Sequence, residues 1–261
     1  MTISLVLALL AIGLFVGIVS NIFGLGGGVL ITPLLPLVVS ISQHDLIATS
    51  LACIFTVVSF NVWAFSREKK IDWSVARIYG VLAAVGALSA STIATFLSEQ
   101  FLRGSTFSMM MLLGLSLIRH PKTEKISAHQ KLFYMPSGFF AGMATGLTGI
   151  GTGAILSPIF LAKKILPHDK VSPTTNAVLI FATFTSVIAY AIAAVQQGRS
   201  VFDAIQIQYV VFICAGALFI SRKARKWQGL MPEVMRRRYM ACVLALLSLI
   251  VLRAFLKGYG I

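Results

Sequence analysis

The chain is poor in charged residues and poorest of all in acidic ones. Charged residues fill 11% of its 261 positions, with eight Asp and Glu against 22 Lys and Arg. A soluble domain carries roughly a quarter charged residues, so the low charge excludes an ordinary soluble domain. The hydrophobic content of 57% and the mean hydropathy of +0.90 predict an all-α integral membrane protein. The long continuous apolar runs argue against a β-barrel, whose strands alternate in segments of about ten residues.

Missing motifs limit the chemistry further. The three cysteines, Cys53, Cys214 and Cys242, lie in apolar runs and match no metal or redox spacing, so we expect no metal site and no cofactor. The sequence has no H-E-x-x-H, no G-x-S-x-G and no two acidic residues in facing apolar segments, which argues against an enzyme. No acid lies at the centre of an apolar segment, so no carboxylate site for H+ or Na+ is evident and the coupling ion stays open.

The basic residues lie in short runs between apolar segments, which is an orientation signal for membrane insertion and not a nucleic-acid surface. The sequence has two glycine-rich breaks, at 24–33 and 149–158. If the chain turns back on itself at both, only four of the 22 Lys and Arg face outward: Arg103, Arg199, Arg253 and Lys257. The other 18 then lie on the cytoplasmic side. This asymmetry predicts cytoplasmic loops at 67–73, 119–131 and 222–237 and both termini outside. The first segment has no basic n-region and no cleavage site, so we expect it to be retained.

Ten apolar segments can be marked, and two of them are too short to cross a bilayer comfortably. A crossing helix needs about 20 residues, and segments of 10–14 are more often re-entrant. The short ones are 29–41 and 153–166. We expect a first transmembrane repeat at 1–120, a cytoplasmic linker at 121–131 and a second repeat at 132–261. The segments are 3–23, 29–41, 46–66, 74–97, 104–118, 132–149, 153–166, 173–197, 204–221 and 238–257.

The two short segments each follow a glycine-rich break, "GLGGGVLITP" at 24–33 and "GIGTGAILSP" at 149–158. The breaks belong to a longer internal repeat. The five apolar segments of the first half recur as five segments in the second half. The second set starts from the opposite side of the membrane, so the pattern predicts an inverted-topology repeat. Close helix packing is an alternative role for the isolated glycines. At an offset of 125, Gly13, Gly17, Gly24, Gly26, Gly28 and Pro33 match Gly138, Gly142, Gly149, Gly151, Gly153 and Pro158.

Each break is predicted to start a helix inside the membrane, where free N–H groups can bind an anion. The helices begin either at Thr32-Pro33 and Ser157-Pro158 or near Gly28 and Gly153 with a bend at the proline, and the sequence leaves both open. Two such tips entering from opposite sides meet near the midplane. The candidate substrate-binding residues are Asn21, Gly24, Gly26, Gly27, Gly28, Thr49, Ser50, Thr148, Gly149, Gly151, Thr152, Gly153, Thr174, Thr175 and Asn176.

A His-Asp pair begins the third segment of each half, His44-Asp45 and then His168-Asp169. The favoured interpretation is a helix N-cap, because an aspartate is stabilised at the positive end of the helix dipole. The alternative is a gating or coupling site that responds to pH, since histidine titrates near neutrality.

With a G-x-G-G-G break followed by proline and repeated in the second half, the chain resembles the sulfite exporter TauE/SafE family. The resemblance covers nearly the whole chain. Thr152 replaces the third glycine of the second run, and "SPTTNA" around Pro173 departs from the usual threonine–serine form. The resemblance to this family implies a bacterial inner-membrane transporter of a small anion, such as sulfite or an organosulfonate, that works by alternating access. A passive anion channel is the alternative. The expected partners are the anion and the lipid bilayer, and the sequence leaves a homo-oligomer open.

Overall fold

The computed structural model describes residues 2–23, 26–118, 134–228, 239, 242–243 and 245–252, and this part of the chain contains helices and no strand. Gly24 and the predicted linker 121–131 lie outside the described residues. The helices are α1 Ile3–Phe23, α2 Gly28–Leu34 with a 3-10 turn Leu35–Leu37, α3 Gln43–Arg67, α4 Trp73–Ala94, α5 Glu99–Ile118, α6 Pro136–Thr148, α7 Gly153–Ala162, α8 His168–Gln196, α9 Val201–Ile205 and α10 Ile207–Gln228. Residues 245–252 are also helical.

Among the residues that the structure describes, five helices are long and apolar enough to cross a membrane, namely α1, α3, α4, α8 and α10. Their outer faces carry large apolar side chains that no other helix covers, among them Leu7, Val85 and Phe219. Such surfaces suit a lipid environment, where apolar side chains meet no water. The prediction of an all-α membrane protein is therefore confirmed. The two short predicted segments form the short helices α2 and α7.

Two ends of the helix bundle can be defined by their loops. Residues 68–72 join α3 to α4 at one end, which we call the loop-70 end. The opposite end holds residues 95–98 and 197–200, and we call it the loop-200 end. Contacts between chain-distant residues fix this arrangement, since His44 at the start of α3 bonds the carbonyl of Ala94 and Asp45 bonds Arg199. Long helices thus run between the two ends.

Helices α1 and α10 run parallel and approach each other closely at glycines. A Cβ on Gly13 would overlap the carbonyl oxygen of Ile213, and one on Gly17 would overlap the carbonyl oxygen of Ala217. The residue numbers rise together along both helices, so the helices are parallel. Small residues four apart permit this backbone contact.

Helices α4 and α6 form a second parallel seam of the same kind. A Cβ on Gly142 would overlap the carbonyl oxygen of Ala83, and one on Gly146 would lie 2.6 Å from the carbonyl oxygen of Ala87. In both seams, therefore, the isolated glycines of the repeat allow close helix packing, as the alternative interpretation of the sequence expects.

Candidate functional site

The first glycine break lies at the middle of the bundle. Gly26 and Gly27 have φ angles of 78° and 75°, a left-handed conformation that residues with a Cβ rarely adopt. Ile54, halfway along α3, and Leu179 of α8 pack against Gly26. The chain reverses here, because Gly27 packs against Val16 of α1 as α2 begins. The break is thus enclosed by α1, α3 and α8.

The second break also contains two left-handed glycines, although Thr152, which corresponds to Gly27, is right-handed with a φ of -58°. Gly149 ends α6 with a φ of 68°, and Gly151 has a φ of 102°. Thr152 occupies the N-cap position of α7, but its side chain makes no capping hydrogen bond. The hydroxyl of Ser50 on α3 donates to the carbonyl of Gly149 at 2.9 Å, which ties the second break to the same helix that supports the first.

The two breaks touch each other. A Cβ on Gly28 would lie 2.8 Å from the carbonyl oxygen of Ile150 and closer still to that of Gly149. The first residue of α2 therefore packs directly on the carbonyl groups of the second break. Only a residue without a side chain fits at this contact, because real Cβ atoms essentially never come within 3.0 Å of other heavy atoms.

The structure decides between the two helix starts that the sequence leaves open. Helix α2 begins at Gly28 and contains Pro33, and α7 begins at Gly153 and contains Pro158. Thr32 donates to the carbonyl of Gly28 at 3.0 Å inside its own helix. Thr32-Pro33 and Ser157-Pro158 are thus interior positions and not helix starts.

The start of α7 leaves several polar groups without a protein partner. Within the described residues, the N–H groups of Gly151, Thr152 and Gly153 donate to no acceptor. This is expected for the N-cap Thr152 and the first helical residue Gly153, and Gly151 directly precedes the cap. The Thr152 hydroxyl is also unpaired, although the residue is 0% exposed. A buried hydroxyl without a partner costs about 1–3 kcal/mol. Uncompensated groups of this kind point to a ligand or water at the tip.

Besides Ser50, four of the predicted hydroxyl ligands already have protein partners. Thr49 donates to the carbonyls of Asp45, at 2.6 Å, and Ile205, at 2.8 Å. Thr174 accepts from the backbone N–H of Asp72 at 3.1 Å. Thr148 donates to Ala144 at 2.6 Å, and Thr175 donates to Val171 at 3.0 Å. Thr49 and Thr174 thus join segments that are distant in the chain, whereas Thr148 and Thr175 donate within their own helices.

Asn21 and Asn176 belong to a buried polar network near the end of α1. The amide of Asn21 donates to the carbonyl of Gly17 at 2.8 Å and to the hydroxyl of Ser221 at 3.2 Å. Ser172 donates to the carbonyl of Asn21 at 3.3 Å, and Asn176 donates to the carbonyl of Ser172 at 2.7 Å.

Through Ser20, which precedes Asn21 in the chain, the network extends to residues that the sequence analysis did not identify. The amide of Asn61 donates to Ser20 at 3.3 Å, and all members are buried. The one available signal for Asn61 was compositional, since the chain has only three asparagines and all of them lie in this network.

The first His-Asp pair lies at the loop-200 end. The cap of α3 is Ser42, whose hydroxyl accepts from the N–H of Asp45 at 3.1 Å, so Asp45 is a first-turn residue and not the cap. Its carboxylate bonds Arg199 at 2.9 Å, and this bond raises the pKa of the Arg199 guanidinium above its ordinary value. The ring of His44 contacts the carbonyls of Ala94 and Leu97 at 3.2 and 3.1 Å.

The second pair lies at the start of α8. His168 is the first residue of that helix and Pro167 is its cap, so the pair again occupies the first turn and not the cap position. Both aspartates are therefore placed where the helix dipole favours negative charge.

Two cavities open near the loop-200 end. One of about 250 Å³ is lined by His44, Asp45, Tyr190 and Arg199 among others, so it contains the first His-Asp pair. The other, of about 650 Å³, lies beside α2 and is lined by Thr32, Leu37, Arg103 and Ile250 among others. Within the described ranges, no group of three or more His, Cys, Asp or Glu could hold a metal ion.

Comparisons with known proteins give one matching family profile and several relatives. A family profile described as "Sulfite exporter TauE/SafE" matches residues 9–251. A "Probable membrane transporter protein" of Haemophilus influenzae is 28% identical over 94% of each chain. The "Probable membrane transporter protein YunE" of Bacillus subtilis is 27% identical over 71% of this chain and 78% of its own. One of Methanocaldococcus jannaschii is 23% identical over 70% of this chain and 71% of its own. No solved structure matches the chain.

Proposed function

Because the chain belongs to the sulfite exporter TauE/SafE family and is thus a membrane transporter, we propose that it carries a small, sulfur-containing anion such as sulfite or an organosulfonate. The transporter works by alternating access in the bacterial inner membrane, with both termini outside the cytoplasm. The anion binds at the glycine breaks, where α7 begins. The observation that carries this proposal is the group of unpaired donors at residues 151–153.

The chemistry of that tip suits an oxyanion. Three consecutive N–H groups at a helix start carry partial positive charge, and the unpaired hydroxyl of Thr152 adds a fourth donor. Sulfite and sulfonate groups present several acceptor oxygens on one centre, so they can use all four donors at once. Burial strengthens these charge-assisted bonds, because little water competes for them. A neutral substrate would form weaker hydrogen bonds with these donors than an anion does, and the partial positive charge would repel a cation.

The helix packing supports the inverted repeat on which alternating access rests. Gly13 and Gly17 on the first helix of one half pack on the fourth segment of the other half. Gly138 and Gly142, their partners at the offset of 125, pack on the fourth segment of the first half. Exchanging the halves therefore reproduces the pairing of helices. A fold built this way can rock one half against the other around a central site.

Thermal stabilisation of the purified protein by sulfite, sulfate, thiosulfate, sulfoacetate, taurine and small carboxylates tests the site. Thr152→Val removes the hydroxyl and keeps the volume. Since a hydrogen bond to a charged group contributes about 1.5–3 kcal/mol, the anion concentration at half-maximal stabilisation should rise at least tenfold. Thr145→Val is the matched control, because Thr145 is also buried but its hydroxyl bonds Ala141 at 2.8 Å. If the anion concentration at half-maximal stabilisation is the same in Thr152→Val and Thr145→Val, the proposed site is wrong.

Flux into liposomes separates a transporter from a channel. An alternating-access transporter saturates with substrate, and labelled anion enters faster when unlabelled anion is present on the opposite side. A passive channel shows neither property. Flux that stays linear with concentration and shows no exchange would replace the transporter by the channel alternative.

A further inference from the structure

The structure assigns a second ligand to the buried asparagine network: we propose that Asn21, Asn61 and Asn176 form a binding site for a small alkali cation, with Na+ as the probe. The site lies at the end of α1, beside the first glycine break. It is separate from the donor-rich tip of α7. The site itself stands on the network alone, while its coupling to anion transport rests on the proposed function.

The unpaired atoms are the first argument. The side-chain oxygen of each of the three asparagines is buried and has no hydrogen-bond partner, although all three residues are 0% exposed. Each amide nitrogen is already used, since Asn21 donates to Gly17, Asn61 to Ser20 and Asn176 to Ser172. The free ends are therefore acceptors. An anion cannot use them, whereas a hard cation binds amide carbonyl oxygens readily.

The connectivity of the network is the second argument. Hydrogen bonds link Asn176 to Ser172, Ser172 to the carbonyl of Asn21, and Asn21 to Ser221, and Asn61 joins through Ser20, the neighbour of Asn21 in sequence. The network thus draws on α1, α3, α8 and α10. Its serine hydroxyls supply further oxygens, as a cation with several oxygen ligands requires.

The end of α1 provides the third argument. The C-terminal end of a helix carries partial negative charge, and Asn21 lies in the last turn of α1. Interrupted membrane helices use such carbonyl ends to bind cations. The two breaks then have different tasks: the start of α7 offers donors, and the end of α1 offers acceptors.

The proposed cation site lacks a carboxylate, and for this reason its affinity for the cation should depend on the bound anion. None of the network residues is acidic, so a bound cation keeps its charge and is stabilised by a nearby negative ligand. Asn176 lies one helical turn from Leu179, which packs on Gly26 of the first break. The first break in turn contacts the second through Gly28 and Gly149, so the two proposed sites are linked through the contact between the breaks. Binding of one ion should therefore raise the affinity for the other by the same factor.

Melting temperatures of the purified protein in NaCl, KCl, LiCl and choline chloride at equal ionic strength test the site, each with and without an anion from the proposed set. We expect saturable stabilisation that depends on cation identity, and a half-maximal Na+ concentration that falls severalfold when the anion is added. Asn61→Ala should raise that concentration at least tenfold. Asn61→Asp should lower it at least tenfold at neutral pH, because a carboxylate oxygen replaces the amide oxygen.

Ser186→Ala is the matched control, since Ser186 is a buried, unpaired hydroxyl on α8 outside the network, and its Na+ response should equal that of the wild type. Equal stability in all four salts, or an unchanged Na+ response in both Asn61 variants, would overturn the cation site. If the anion still stabilises the protein in that case, the proposed function survives. If Na+ acts as expected but no anion has any effect, the cation site survives and the proposed function fails.

Discussion

Replacing Gly28 by alanine should separate the two glycine breaks. The new Cβ would lie 2.8 Å from the carbonyl oxygen of Ile150 and closer to that of Gly149. These two atoms belong to the backbone between α6 and α7, so neither can turn away as the side chain of Ile54, whose Cδ1 would lie 2.5 Å from the new Cβ, can. Overpacking of this kind costs about 1–3 kcal/mol. At roughly 2–4 °C per kcal/mol for a chain of this size, the melting temperature should fall by about 2–12 °C.

The functional effect should be larger than the loss of stability. The unpaired donors at the tip of α7 follow directly after the displaced carbonyls, so a shift of the breaks also displaces the proposed anion site. We expect Gly28→Ala to abolish saturable anion uptake into liposomes and to remove anion-induced stabilisation. Both quantities can be measured on the same purified sample, which keeps folding and binding apart.

Gly13→Ala is the matched control. Its Cβ would overlap the backbone carbonyl of Ile213 in the seam between α1 and α10, so the steric conflict is similar but lies away from the breaks. This variant should lose a comparable amount of stability while its remaining folded fraction still responds to the anion. Wild-type melting and wild-type uptake in Gly28→Ala would refute the contact between the breaks. Loss of the anion response in both variants would show that general destabilisation is responsible.

Three further outcomes follow from the structure. Thr49→Val and Thr174→Val should each lower stability by about 1 kcal/mol, measured by thermal melting, with unchanged anion affinity, because both hydroxyls already bond the backbone. In a cysteine-free background, Ser200→Cys should react with a membrane-impermeant maleimide in intact cells and Lys70→Cys should not. Arg199→Gln should cost less than about 1 kcal/mol, since the guanidinium is 42% exposed. The contact with Asp45 raises the pKa of Arg199. The stabilisation by this ion pair is therefore fully present below the ordinary pKa of arginine and is lost only above the raised pKa. The difference in stability between Arg199→Gln and the wild type should stay constant from pH 7 to 10.

Hydropathy predicted much of the fold because membrane helices follow length and composition closely. The predicted segment 46–66 is the helix Gln43–Arg67, and the short segment 153–166 is the helix Gly153–Ala162. The internal repeat predicted that the two breaks lie together, and Gly28 packs on Gly149. The starts of the helices were harder to predict. Thr32-Pro33 is a good pattern for the start of a helix, but the glycines before it already allow the helix to begin.

Contacts between distant positions could not be predicted from one sequence. The bond from Asp45 to Arg199 joins residues 154 positions apart, and nothing in the His-Asp motif indicates it. Asn61 was not among the candidate residues, and only the fold places it beside Ser20. Similarly, Thr174 was predicted as a ligand, but the structure places it against the backbone of Asp72.

The bonds made by Thr49 and Thr174 suggest how the two halves would move in the proposed cycle. Each threonine is the seventh residue of its helix, α3 and α8, and each is bonded to backbone beside the start of the fourth segment of the other half. The Thr49 bond lies at the loop-200 end and the Thr174 bond at the loop-70 end. Both hydrogen bonds are formed in this conformation, so each opposes the separation of the two halves at its own end of the bundle. Alternating access then requires the two bonds to open one at a time, and Thr49→Val and Thr174→Val should bias the protein toward opening at opposite ends.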